Sequence, residues 1–395
     1  MSGNTDKSGK RSIFEEVDPG KAGQPPQPRQ TGLIEGRRQG ARGAIRLWLI
    51  VLFALVMVMI AVGGLTRLTD SGLSITEWRP ITGAIPPMGE AAWLAEFEKY
   101  RQIPQYELMN FGMSLEEFKV IYWWEWGHRQ LGRLIGLVWG VGFLWFWLSG
   151  RIPAGWTGRL LLLGGLGGLQ GAIGWWMVAS GLTEGMIAVA SYRLAVHLGL
   201  AFVILGLIAW HVFELGRSAG DLLQARRARE GRLFSGATGL MHFAMLQILL
   251  GALVAGIDAG RGYTDWPLMH GVFFPPESFD IAPLWRNFFE NPALVQFMHR
   301  MAGYFLLLFA VVVWLRGRRS AHGATRRAFH WMMAAMTGQI VLGIVTVMHG
   351  APWELAISHQ VLAVVLWVLI IRARFLAQYP RAESLRGSVA NRGRA

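Results

Sequence analysis

Long apolar stretches alternate with shorter polar ones along the whole chain. Eight of them carry few charges, near 46–66, 128–148, 159–179, 192–214, 234–256, 294–315, 328–348 and 353–374. A hydrocarbon core about 30 Å thick is crossed by roughly 20 apolar residues in a helix, so each stretch predicts one membrane span. In lipid every backbone amide must be paired, which leaves helices or closed barrels. The expected fold class is an all-α integral membrane protein with eight transmembrane helices.

Two connections on one side are long. The first, 67–127, holds two amphipathic stretches, Glu90–Tyr100 and Leu115–Trp124, expected as helices lying near the membrane surface. The other, 257–293, is rich in Pro and aromatic residues and is expected to fold over the same face. Residues 1–45 are polar and lack the apolar segment of a secretory signal, which predicts a disordered tail. A second short tail is expected over 375–395.

Charge then orients the spans. The formal net charge is +13, from 38 Lys and Arg against 25 Asp and Glu. With the N-terminus inside, 27 of the 38 basic residues fall in the tails and short connections and eight on the side of the long ones. This asymmetry predicts both termini in the cytoplasm. The basic excess is then topological, and no nucleic-acid partner is expected. Glu15, Glu16 and Asp18 favour a bacterial inner membrane over a mitochondrial transit peptide. The absence of cysteine excludes disulfides, thiolate zinc sites, iron–sulfur clusters and covalently attached haem. Metal chemistry must use His or carboxylate.

The chain also repeats itself. Thr69-Asp70-Ser71-Gly72, Thr76-Glu77-Trp78 and Pro86-Pro87 follow the first span, and Asp258-Ala259-Gly260, Thr264-Asp265-Trp266 and Pro275-Pro276 follow the fifth. His128-Arg129 corresponds to His299-Arg300, Gln170 through Gly174 to Gln339 through Gly343, and His197 to His359. Four spans separate each element from its copy, so both halves share one orientation. Two tandem four-helix bundles are expected, 46–214 and 234–374, related by a pseudo-twofold along the membrane normal.

Ten histidines are present. His211, His270, His322, His330 and His349 fall in connections or near helix ends and read as interfacial or solvated; His242 reads as packing or hydrogen bonding. His128, His197, His299 and His359 differ, because each is expected within about two turns of the outer end of an even-numbered span and the set recurs in both halves. Two imidazoles facing each other across a bundle are the donor set of a six-coordinate haem iron. Hydrogen bonding between helices is the alternative, but ionisable groups in a membrane are costly without a functional gain.

Smaller signals leave two readings each. Gly132, Gly136 and Gly140 share a stripe with His128, and Gly303 follows His299; such stripes suit a flat macrocycle or ordinary helix packing. Arg129 and Arg300 suit haem propionates or interfacial anchoring. Three residues before His128 stands Glu125, and three before His299 stands Gln296. Positions i and i+3 share a helix face, so Glu125 is expected at the His128 pocket as a proton-exchanging carboxylate, or solvated at the surface.

The segments Glu96 to Tyr100, Pro104-Gln105-Tyr106, Glu116 to Lys119 and Tyr122-Trp123-Trp124-Glu125-Trp126-Gly127-His128-Arg129-Gln130-Leu131-Gly132-Arg133, with Phe297 to Gly303 and Ile357 to Gln360, closely resemble the haem A synthase family. The resemblance runs from about 45 to 375. It implies an eight-helix oxidoreductase that converts the C8 methyl of haem O to a formyl group, by successive hydroxylations and dehydration, giving haem A for haem-copper oxidases. It further implies haem b on His299 and His359, substrate haem on His128 and His197, and Glu125 as the catalytic carboxylate. Some members carry a cysteine pair in the first long loop. Its absence here places the likeness with the cysteine-free branch of proteobacteria and mitochondria and excludes a thiol step. The partners implied are haem O, membrane lipid, haem O synthase and oxidase assembly factors, with an oligomer as a further expectation. A diheme b-type electron-transfer cytochrome and a haem carrier for oxidase assembly are the alternative functions.

Overall fold

The computed structural model describes residues 33–381, the side chains from 41 onward. The helices in chain order are α1 (Leu33–Leu68), α2 (Glu90–Arg101), α3 (Pro104–Met109), α4 (Leu115–Leu148), α5 (Thr157–Gly181), α6 (Ser191–Leu215), α7 (Ala219–Arg227), α8 (Gly231–Gly256), α9 (Asn287–Glu290), α10 (Pro292–Gly317), α11 (Gly323–Met348) and α12 (Trp353–Gln378). Among the described residues, eight are long and apolar enough to cross a membrane: α1, α4, α5, α6, α8, α10, α11 and α12. The fold is all-α with the eight expected spans.

Two boundaries differ from the sequence reading. Residues 33–45, expected as tail, continue α1 without a break; residues 1–32 and 382–395, which hold the rest of both tails, lie outside the described residues. Leu115–Trp124 is not a separate surface helix but the start of α4. A capping box sets that start: Glu117 N–H donates to Ser114 Oγ, 3.3 Å, and Ser114 N–H to Glu117 Oε2, 2.8 Å. At 34 residues α4 is about 51 Å long, well beyond the apolar core, because the amphipathic segment joins the apolar one in phase. The other amphipathic stretch is α2, as expected.

The eight spans fall into two groups by contact. Helix α1 packs on α4 and α6, and α5 on α4 and α6; α8 packs on α10 and α12, and α11 on α10 and α12. Contacts of α6 with α8 and α12, and of α1 with α12, join the groups. Small residues admit these approaches. The Trp367 indole N–H donates to Phe202 O across α12 and α6, 2.9 Å, and a methyl on Gly206 would sit 2.9 Å from Trp367 Nε1. Trp48 does the same on α4, donating to Val138 O at 2.9 Å beside Gly142. Without a hydrophobic drive between lipid-immersed helices, close backbone approach and indole hydrogen bonds hold them together.

One end of the bundle carries both long connections. Under the first lies its own apolar cluster, with Leu73, Ile75, Phe97, Tyr100, Phe118 and Tyr122 buried. At the same end Arg67 Nη1 pairs with Asp70, 2.8 Å, and Nη2 with Asp258, 2.8 Å. These two aspartates are the repeat-equivalent residues after α1 and α8, both left-handed, with φ of 49° and 52°, a conformation Asp tolerates at helix ends.

Candidate haem-binding site

Four histidines occupy four seats of one design. His128 on α4 lies against Gly63 of α1, where an added methyl would be 2.9 Å from Cε1. His197 on α6 lies against Gly174 of α5 at 2.8 Å, His299 on α10 against Gly251 of α8 at 3.0 Å, and His359 on α12 against Gly343 of α11 at 2.9 Å. Any side chain at these glycines would push the imidazole away. Their lack of a Cβ is what lets the ring settle on the neighbouring helix.

Three seats carry a glutamine; the sequence repeat marks Gln170 and Gln339, and only Gln247 escapes it. Gln170 Nε2 donates to His197 O at 2.9 Å and lies 3.2 Å from Nδ1. Gln247 does the same at His299, 2.9 and 3.1 Å, and Gln339 at His359, 3.0 and 3.2 Å. Each glutamine stands one turn before the glycine of its seat. Comparing the odd-numbered spans with one another, as well as half with half, adds Gln247 and Gly251 of the fifth to the Gln-x-x-x-Gly pattern of the third and seventh.

The imidazoles fall into two sets. His128 and His197 are within electrostatic reach of each other, as are His299 and His359, and each keeps part of its surface accessible. Three of the four lie about two turns into their helices; His128 lies nearly four turns into α4, because that helix begins early. Each pair brings two imidazoles from non-adjacent helices of one group, seated on glycine. This donor set fits an iron porphyrin held on both faces.

The remaining histidines have local partners. His211 meets Glu214 at 3.3 Å, His330 accepts from the Trp314 indole at 3.0 Å, and His242 and His349 donate to the carbonyls of Thr238 and Val345 at 2.9 and 2.8 Å. His270 bonds Gly262 O at 3.1 Å. The backbone of His322 caps α11.

Arg129 and Arg300 brace the long loops in one pattern. Arg129 Nη2 donates to Ile75 O at 2.8 Å and Nη1 to Glu77 O at 3.1 Å. Arg300 Nη2 donates to Tyr263 O at 2.7 Å, and Nη1 to Asp265 O and Leu268 O at 3.0 and 2.9 Å. Most of their donors therefore serve backbone carbonyls.

Glu125 takes part in the same brace. Its Oε2 accepts from Ser74 Oγ at 2.7 Å and Ile75 N–H at 2.8 Å. Its Oε1 accepts from Arg129 Nε and Nη2, 3.1 and 2.5 Å. Only 3% exposed, it is a fully paired carboxylate one turn from His128, not a solvated one. Gln296, its counterpart, donates to Tyr263 O at 3.1 Å and is equally buried. The loop-side role is common to both halves; the charge is not.

Comparison with known proteins shows the family. Residues 46–371 match the family described as Cytochrome oxidase assembly protein, COX15-CtaA. The chain is 69% identical over 380 residues to a protein of Ruegeria sp. named "Heme A synthase", covering 95% of this chain and 99% of the relative. It is 67% identical to the protein of that name from Ruegeria pomeroyi, covering 96% and 100%, and 62% identical to that from Paracoccus denitrificans, covering 96% and 99%. The chain belongs to this family.

Proposed function

We propose, from that membership and from the four seated imidazoles, that the protein is a haem A synthase of the bacterial inner membrane. It oxidises the C8 methyl of haem O to a formyl group, and the haem A formed serves haem-copper oxidases. Both termini lie in the cytoplasm, which puts the long loops on the opposite side, consistent with the distribution of Lys and Arg. The two four-helix groups are related by a pseudo-twofold, each holding one haem.

In this reading His128 and His197 hold the substrate haem, and His299 and His359 hold haem b as the resident cofactor. The iron supplies the redox chemistry. Two imidazoles would hold each haem, their rings settled against the glycine seats. The brace of Arg129 and Glu125 holds residues 74–77 over the first site. Glu125 is the group placed to take a proton released near His128, and its pairing with Arg129 orients it. Arg129 and Arg300 stand beside the propionates while tying down the loops.

The carrying observation is the Glu125/Gln296 difference inside an otherwise repeated site, since electron transfer alone gives no reason for a buried carboxylate in one half only. Co-expression with a haem O producer, followed by mass analysis of the extracted haem, tests the reading. Appearance of the formyl derivative supports the enzyme. Two permanently bound haems b with no modified product would instead mean a diheme cytochrome, and release of unmodified haem O a carrier.

A further inference from the structure

Carboxylates account for the basic residues on the side of the long connections, with one exception. Of the eight that the sequence puts there, seven pair with Asp or Glu. Arg193 on α6 has no carboxylate partner among the described residues. Its Nη1 donates to Trp176 O at 2.7 Å, and its guanidinium carbon lies 4.5 Å from the centre of the Trp176 ring. Nη2 has no hydrogen-bond partner among the described residues, and Nε is buried without one. A buried donor left unpaired is costly.

The place of this cation is specific. Arg193 stands four residues before His197, on the same face of α6, and Trp176 lies two residues beyond Gly174, the seat of that imidazole. Arg129 of α4 does the same beside His128, its guanidinium carbon 5.8 Å from the centre of the Trp175 ring. Each helix that brings an imidazole to the first half thus also brings a cation to one of two adjacent tryptophans. Arg129 is already matched by Glu125; Arg193 is not matched. In the second half Leu355 stands where Arg193 would, and Ile344 and Val345 where the tryptophans do.

The edge of a guanidinium formed by Nε–H and an Nη–H takes a carboxylate through two parallel hydrogen bonds. In Arg193 that edge is the unpaired one, since Trp176 holds the other nitrogen. Haem carries two carboxylates on its propionate arms. We propose that Arg193 binds a propionate of the haem held by His128 and His197 and so fixes the rotation of the macrocycle about the axis of its two imidazoles. This rests on the reading that the first half receives substrate. Axial ligands alone leave that rotation open. The C8 methyl shares its pyrrole with one propionate, so a cation that takes a propionate also sets where the methyl points. A resident haem that is not itself modified has no such requirement, in keeping with Leu355.

The test titrates full-length protein in detergent, its second half occupied, with ferric haem O and with the dimethyl ester of the same haem, followed by absorbance. Wild-type protein is expected to bind the ester more weakly than the acid; equal affinities overturn the proposal without any variant. Arg193→Gln keeps a donor for Trp176 O but removes the charge. It is expected to weaken binding of haem O by about 10–100-fold, the range of a hydrogen bond to a charged group, and to leave the affinity for the ester at its wild-type value. Unchanged affinity for haem O overturns the proposal. So does an equal loss for acid and ester, which would make Arg193 a brace between α5 and α6. Should R193Q fail to assemble, R193L, which installs the residue of the second half, is read by the same criteria. His197→Ala separates the proposal from the reading beneath it. Loss of first-half binding for both acid and ester upholds that reading, whereas wild-type titrations in that variant defeat it whatever R193Q does.

Discussion

In the first half of the molecule Glu125 stands one turn before the paired histidine and Met59 one turn before its glycine seat; in the second half the same two places hold Gln296 and Gln247. Everything around these positions is repeated. Arg129 and Arg300 grip loop carbonyls at 2.8 and 2.7 Å, and Gly63 and Gly251 approach their imidazoles at 2.9 and 3.0 Å. The two differences have opposite character. Toward the loop the first half gains a charge, and toward the imidazole it loses an amide. The repeated scaffold thus differs between its halves at two places beside the paired histidines, one on the loop side and one on the neighbouring helix.

The largest expected effect separates the halves outright. His299→Ala removes an axial ligand of the resident haem and should abolish the stable b-type spectrum of purified protein. His128→Ala should leave that spectrum in place. Equal spectra for the two variants would erase the distinction between substrate and cofactor halves.

Glu125→Gln comes next. Gln296 already occupies the equivalent place at 2% exposure, so an amide there is compatible with the brace and the variant should fold and bind haem. Haem A formation, measured in extracted haem, should fall by about 10²–10⁴-fold, the range of a lost general acid–base group. Wild-type product levels would reduce Glu125 to a loop anchor shared with Gln296.

Gly343→Ala tests the seats. A methyl 2.9 Å from Cε1 of His359 forces the ring aside, and overpacking of this kind costs about 1–3 kcal/mol. Weaker haem retention in the second half, read by haem titration, is the expected outcome, and Gly63→Ala should do the same in the first. The smallest effect is expected from Arg67→Ala. It removes the link to Asp70 and Asp258, partly exposed ion pairs worth about 0.2–1 kcal/mol each. The midpoint of thermal unfolding should fall slightly, with haem content unchanged.

Much of this could be read from residues alone. The spans follow from apolar length, and the four histidines stand out because they recur. Where local composition misled, adjoining segments were in phase: nothing between Trp124 and His128 breaks a helix, so the amphipathic segment fused with the span and His128 stands nearly four turns into α4 rather than at its start. The direction of Glu125 was also hidden. Helical spacing puts it on the His128 face, yet one of its oxygens is held by Ser74 and Ile75, donors from a loop 51 and 50 residues away in the chain, and the other by Arg129 one turn along α4.

Sequence by itself determined the number of spans, because transfer into lipid depends on composition within each segment and not on its neighbours, and it carries the repeated motifs. Tertiary structure alone decided which glycine lies under which imidazole, which carboxamide bonds the carbonyl of which histidine, and that Met59 stands where a fourth glutamine would. Those relations join helices distant in the chain. They arise from how closely two backbones approach, which the absence of a single Cβ controls and no periodicity along one helix reveals.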